Sequence, residues 1–216
     1  MGRLLLVRHG QSTWNAAGRW QGWADPPLTE LGEDQARAAG RALAASGANF
    51  AVVASSTLAR ARRTAELMAA EIAYRGELLT EPELREQDMG EWTGLDREQI
   101  EHRWPGALAT RRAGKTMSVP GGETGEAFEQ RCLRAFSRLL ELADQPVLAV
   151  SHGGVLVALE RLLKLGPHPS GHANLTGWLV SDDSGGLVAI EHVELTGPGR
   201  GGLSYGAVEA GQGRKS

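Results

Sequence analysis

A single cysteine, Cys132, in 216 residues leaves no partner for an intrachain disulfide and no thiolate cluster for a metal. Disulfide-stapled secreted scaffolds and zinc ribbons are thereby excluded, and a reducing, cytoplasmic setting is expected. Charge of one sign is lacking too. With 23 Lys+Arg against 26 Asp+Glu, a formal net charge of −3, no overall field draws the chain to nucleic acid or to an anionic membrane. Any anion site must be local. No apolar run approaches a membrane span, and the first, Leu4 to Val7, is far too short for a signal-peptide core, so a soluble chain is expected. The Met-Gly start is not a myristoylation signal, because Leu6 stands where that motif needs Ser or Thr.

What is present suits one domain with its own core. Residues 1–195 read as that domain. Glycine, 29 residues in all, crowds the stretch from Gly197 to Gly213, so 196–216 reads as a flexible tail. The runs Arg3 to Val7, Phe50 to Ala54 and Pro146 to Val150 are short and aliphatic, as buried parallel strands are. Between them, Leu28, Leu31, Ala36, Ala39 and Leu43, then Leu58, Ala61, Ala65, Met68 and Ile72, recur at helical spacing. Thr124 can cap a third helix carrying Phe128, Cys132, Phe136 and Leu139, and a fourth helix runs from about Val155 to Leu165. Two strands, Gly177 to Ser181 and Leu187 to Val193, flank a turn-forming Asp-Asp-Ser-Gly-Gly stretch. Strands alternating with amphipathic helices predict an α/β fold, a three-layer α/β/α sandwich on a mainly parallel central sheet.

In such a sheet ligands bind outside the carboxyl ends of the strands. Arg8-His9-Gly10 follows the first strand, Ser55-Ser56 leads to Arg60 after the second, and Ser151-His152-Gly153-Gly154 follows the run at 146–150. Two arginines and two histidines converging there make a cationic pocket suited to a phosphate dianion, since guanidinium groups bind phosphate oxygens in bidentate fashion. Arg60 falls in the first turn of its helix, where free N–H groups also favour an anion. Gly10 and Gly153 permit close backbone approach. An imidazole attacking phosphorus would divide ester cleavage into two steps through a covalent intermediate. The departing alkoxide then needs a proton. Glu86 is the candidate acid, with Asp88 and Glu91 competing on composition.

Arg8-His9-Gly10-Gln11-Ser12-Thr13-Trp14-Asn15, then Gln21-Gly22 and Asp25-Pro26-Pro27-Leu28-Thr29, then Ser56-x-Leu58-x-Arg60-Ala61-x-x-Thr64, closely resemble the histidine phosphatase superfamily. The likeness is strongest to its phosphoglycerate mutase-like branch. It continues through Glu86, Gly90-x-Trp92-x-Gly94, Gly121-Gly122-Glu123 and Val150-Ser151-His152-Gly153-Gly154. Thr93 and Thr124 depart from the common Glu and Ser without removing a catalytic group. The acid-phosphatase and phytase branch is similar only at Arg-His-Gly. The resemblance implies His9 as the phosphorylated nucleophile, Arg8, Arg60 and His152 gripping the phosphoryl group, Glu86 as proton donor and acceptor, and Asn15, Gln21 and Gly22 lining the pocket. It implies hydrolysis of small-molecule phosphomonoesters, with a phosphoglycerate mutase or a non-catalytic phospho-ligand binder as alternatives.

No metal or cofactor is expected, because no clustered acidic or Cys/His ligand set accompanies the pocket. The expected partner is a small-molecule phosphoester rather than nucleic acid or membrane; a homodimer is allowed for. Other features carry less. Trp14, Trp20 and Trp23 read as packing residues, and Arg111, Arg112 and Lys115 as a solvated basic face with an option on a substrate anion. His168 and His172 have metal-ligand spacing but lie among Pro and Gly, as solvated loop histidines do. Gly114-Lys115-Thr116 is not a P-loop, since Ala109 stands where its first glycine belongs. Only 26 residues, Leu95 to Pro120, separate Gly94 from Gly121. That is too little for the long insertion by which family mutases resemble one another, so an open mouth is expected, with Arg111, Arg112 or Glu123 on its rim.

Overall fold

The computed structural model describes residues 2–112, 119–142, 145–165, 172–183 and 186–196. The glycine-rich stretch from 197, His168, and Gly114-Lys115-Thr116 lie outside the described residues.

The aliphatic runs form β1 (Arg3–Arg8), β2 (Val52–Ser55) and β4 (Val147–Ser151), with a two-residue β3 (Leu79–Thr80) at the edge. β5 (Thr176–Asp183) and β6 (Gly186–Glu194) follow as an antiparallel pair. The sheet order is β3-β2-β4-β1-β5-β6. β3, β2, β4 and β1 run parallel, and β5 pairs antiparallel with β1. The sheet is therefore mixed, with its parallel half where the three aliphatic runs lie side by side.

Strand alternation sorts the core into two layers. Leu4 and Leu6 of β1, with Val147 and Ala149 of β4, face α6 (Gly125–Glu141) and α7 (Gly153–Leu162). Leu5 and Val7, with Leu148 and Val150, face α2 (Glu30–Ala45) and α3 (Ala59–Glu71). A residue slip in either strand would exchange the layers, so every core position specifies register. Caps set where the helices start: Thr29 accepts from the Gly32 N–H at α2, with Glu30 and Glu33 in its first turn, and Thr124 accepts from the Ala127 N–H at α6.

Three short helices were not legible as amphipathic stripes: α1 (Thr13–Ala16), α4 (Arg97–Arg103) and α5 (Ala107–Arg112). Reciprocal capping boxes start α1 at Ser12 and α4 at Asp96. A small separate core of Met89, Trp92, Ile100, Leu108 and Val119 holds α4 and α5 near Trp20. Among the described residues, no helix is long and apolar enough to cross a membrane.

Candidate active site

β2, β4 and β1 are neighbours and parallel, so their carboxyl ends deliver Ser56, His152 and His9 to one edge of the sheet. Main-chain bonds fix the handover: the His9 N–H donates to Ser151 O at 2.9 Å and the Ser56 N–H to Val150 O at 2.9 Å. The two imidazoles meet edge to face, with ring centroids 5.2 Å apart.

His9 is buried, and its Nδ1 lies 2.6 Å from the carbonyl oxygen of Gly10. A carbonyl only accepts, so the His9 proton sits on Nδ1 and the Nε2 lone pair is left to accept. The Nε of Arg60 approaches that Nε2 at 3.3 Å. Burial first, then the charges of Arg8 and Arg60, hold His9 well below the usual histidine range. The bond that orients His9 needs Gly10: a Cβ there would lie 2.4 Å from the carbonyl oxygen of Gly32. Asn174, on the turn before β5, donates to the His9 carbonyl at 2.8 Å.

His152 caps α7 and is fully buried, its Nε2 2.8 Å from Ser56 Oγ. Desolvation, then Arg60, His9 and Arg8, keep it uncharged well below the usual range. Its Nδ1 and the Nε of Arg8 are buried without a protein partner. Orphaned buried polar atoms are costly, and two of them beside His9 mark a place prepared for polar ligand atoms. Arg60 is 1% exposed and pinned by its fork to Gly22 O at 3.0 Å and Ala24 O at 2.7 Å. Desolvation pushes it down to about 10, so it remains charged at neutral pH. The backbone does less than the helix start suggests, because the carboxylate of Asp25 already occupies the Ala59 N–H.

Glu86 accepts from its neighbour Gln87 N–H at 2.8 Å and from the Gly154 N–H of α7 at 3.1 Å. It lines the same cavity as Arg8, His9 and Arg60, and neither competing acid does. Asp88 is spent on a turn, accepting from the Gly90 N–H at 3.0 Å, and Glu91 is exposed. Arg131 places this segment by donating to the carbonyls of Glu83, Arg85 and Glu86 while forking onto Glu123 at 2.7 and 2.8 Å. Glu123 is therefore a bracing residue rather than a free rim carboxylate, which corrects the expectation for it.

Asn15, Gln21, Gly22 and Gly153 all line this cavity of about 410 Å³. Asn15 is held by the α1 capping box, and Gln21 accepts from Ser12 Oγ at 2.8 Å. Three side chains differ from the sequence reading. Arg111 is not solvated: it lies over the Trp20 ring at 5.4 Å and donates to Gln87 Oε1 at 2.8 Å. Trp23, though exposed, donates its Nε1–H to Glu86 O at 2.8 Å. His172 is not a solvated loop residue, because its Nε2 faces buried Glu160 at 3.0 Å and its carbonyl accepts from Arg8.

Ser56 stood in a strand-end pair and could have been singled out. Asn174 and Arg131 carried no signal, since each acts through strand order and helix docking rather than a local motif. No group of three or more His, Cys, Asp or Glu among the described residues could hold a metal ion.

Comparison with known proteins agrees with this geometry. Residues 4–178 match the family model described as histidine phosphatase superfamily, branch 1. The chain is 39% identical over 165 residues to a 2,3-bisphosphoglycerate-dependent phosphoglycerate mutase of Methylobacterium radiotolerans, covering 74% of this chain and 78% of the relative. Among solved structures, a mycobacterial glucosyl-3-phosphoglycerate phosphatase in complex with VO3 superposes with a TM-score of 0.78 at 31% identity, over 88% of this chain and 98% of that one. A phosphoglycerate mutase from Bacillus anthracis superposes at 0.74 with 26% identity, over 89% of this chain and 92% of that one.

Proposed function

The chain belongs to branch 1 of the histidine phosphatase superfamily, and on that premise we propose that it is a phosphatase hydrolysing small-molecule phosphomonoesters through a phosphohistidine on His9. The observation that carries the proposal is the His9 ring itself: proton held on Nδ1 by Gly10, lone pair at Nε2 facing Arg60, and Glu86 lining the same cavity.

In the first step, Nε2 of His9 attacks phosphorus and the bond to the alcohol oxygen breaks. Glu86 delivers its proton to that oxygen, so the leaving group departs as a neutral alcohol. The phosphorylated ring becomes a cation, and the Gly10 carbonyl on Nδ1–H is placed to stabilise it. Arg8, Arg60 and His152 hold the equatorial oxygens as charge shifts onto them. In the second step water attacks phosphorus, Glu86 takes up its proton, and the His9 to phosphorus bond breaks to release phosphate. The cations supply the charge neutralisation that a metal supplies elsewhere, so turnover proceeds without one. The single cysteine, Cys132, is buried, and burial pushes its thiol up to about 12, so it takes no part in the chemistry.

A mutase is the second reading, favoured by the names of the curated relatives. A mutase must keep water from its phosphorylated histidine until the phosphoryl group returns to the intermediate. Of the 26 residues from Leu95 to Pro120, α4 and α5 use 13, and so short a segment offers little chain for a cover, which supports hydrolysis. Incubation with 3-phosphoglycerate and a trace of 2,3-bisphosphoglycerate, followed by phosphorus NMR, separates the two. Hydrolysis predicts free phosphate in excess over 2-phosphoglycerate; rapid 2-phosphoglycerate with little free phosphate would establish the mutase.

A further inference from the structure

A second cavity of about 410 Å³ adjoins the first, and Trp20, Arg97, Arg111, Gly154 and Val157 line both. Its far part has a different chemistry from the phosphate end. Leu108 of α5, Phe128 of α6, and Val157, Ala158 and Leu165 on and after α7 form an apolar lining. That volume lies within the roughly 300–1,000 Å³ of small-molecule sites. A lone phosphate or a three-carbon alcohol beside His9 would leave it unfilled.

Charge is added at the edges of this lining. Arg111 stands at the junction of the two cavities, fixed by Gln87 and the Trp20 face. Arg97 is exposed and makes no ion pair among the described residues. Among the described residues Arg161 pairs with Glu129 alone, at 3.0 Å on the exposed surface, where such pairs contribute little. Among the described residues the one carboxylate lining the chamber is Glu160, which accepts from the Trp178 Nε1–H at 3.1 Å and has His172 Nε2 3.0 Å away. Three guanidinium groups thus line the chamber against a single carboxylate among the described residues.

We propose that this chamber is a leaving-group subsite, and that the preferred substrates are phosphomonoesters whose alcohol half carries a flat apolar body and, at its far end, a second anionic group. The assignment rests on the phosphatase reading above and adds to it the class of alcohol. The apolar body lies against Leu108, Phe128 and Leu165, and the remote anion meets Arg161 at the far rim, while Arg97, which lines both cavities, stands on the phosphate side. Arg111 discriminates at the junction, where its fixed plane can stack on the body or take an anion close to the ester.

The test uses the full chain with 6-carboxy-2-naphthyl phosphate, 2-naphthyl phosphate and p-nitrophenyl phosphate, comparing wild type with Leu165→Trp and Arg161→Ala. Both positions line only the second chamber. Leu165→Trp should lower kcat/KM about 10- to 100-fold for both naphthyl esters, mostly through KM, and leave p-nitrophenyl phosphate unchanged. Arg161→Ala should weaken the carboxylated ester alone, by about tenfold. Binding of 6-hydroxy-2-naphthoate by calorimetry gives a readout independent of turnover, with the same ranking expected. Equal naphthyl kinetics and equal naphthoate binding in all three proteins would overturn the subsite even with p-nitrophenyl phosphate turnover intact. Absence of all phosphate release with ranked naphthoate binding would instead overturn the phosphatase and keep the subsite.

Discussion

Gly154 and Glu86 meet so closely that a Cβ on Gly154 would lie 2.0 Å from Glu86 Oε1, while the Gly154 N–H donates to Glu86 Oε2 at 3.1 Å. The same glycine therefore holds the carboxylate and leaves room for it. Gly154→Ala should displace the acid without harming the helix, where alanine is favoured over glycine by about 1 kcal/mol. The expected result is a loss on the order of 10²–10⁴ in kcat on alkyl phosphates, a smaller loss on p-nitrophenyl phosphate, and an unchanged or raised Tm. Equal losses on both esters would remove Glu86 from the proton-transfer role.

Arg60 should behave in the opposite way, because it holds the transferring group whatever the alcohol. Arg60→Lys keeps a charge and loses the fork to Gly22 O and Ala24 O. A fall on the order of 10²–10³ in kcat/KM is expected, by the same factor for alkyl and aryl esters. A drop in Tm should accompany it, since an abandoned buried carbonyl costs about 1–3 kcal/mol. Steady-state kinetics on an ester pair, with thermal melts, checks both; a loss confined to alkyl esters would count against this role.

The buried histidines set the pH behaviour. His9 and His152 both lie well below the ordinary value of 6.5, so the unfolded chain binds protons there that the native state refuses. Their contribution to stability is present above about pH 6.5 and is lost as pH falls toward their lower folded-state values. Denaturant melts between pH 7.5 and 5 should show the decline, and His152→Asn should flatten it. Over the same range kcat/KM should show no titration at the ordinary histidine value. An acid limb centred on 6.5 that stays in place when the substrate's own phosphate pKa is changed would mean that His9 is not the buried neutral group described.

Metal removal should have no effect. Arg8 and Arg60 line the cavity beside His9, and on the proposed mechanism their guanidinium groups neutralise the phosphoryl oxygens without an ion. Dialysis against EDTA should leave the rate of p-nitrophenyl phosphate hydrolysis unchanged, and restoration of a lost rate by added Mg²⁺ or Mn²⁺ would refute the role given to the cations.

Much of this arrangement was legible in the sequence because its signals are local. An aliphatic run that ends in Arg-His-Gly or Ser-His-Gly announces both a strand and its carboxyl-end residues, and caps such as Thr29 and Thr124 announce helix starts. What stayed hidden depends on non-local placement. Nothing near Arg131 says that its helix will dock under Glu86, and nothing near Asn174 says that β5 will pair antiparallel with β1 beside His9. Arg111 read as solvated because the indole that covers it, Trp20, lies far away in the chain. Glu123 read as a rim residue because nothing local shows that Arg131, about two helix turns inside α6, is buried against it.

Phosphorylation of His9 is the central claim, and rapid-quench labelling tests it most directly. Mixing wild type with a radioactive phosphoester and quenching within milliseconds should give protein-bound label that is lost in acid and stable in base. His9→Ala should show no label and no turnover with its fold intact by circular dichroism. Label that survives acid, or turnover that persists in His9→Ala, would contradict the account.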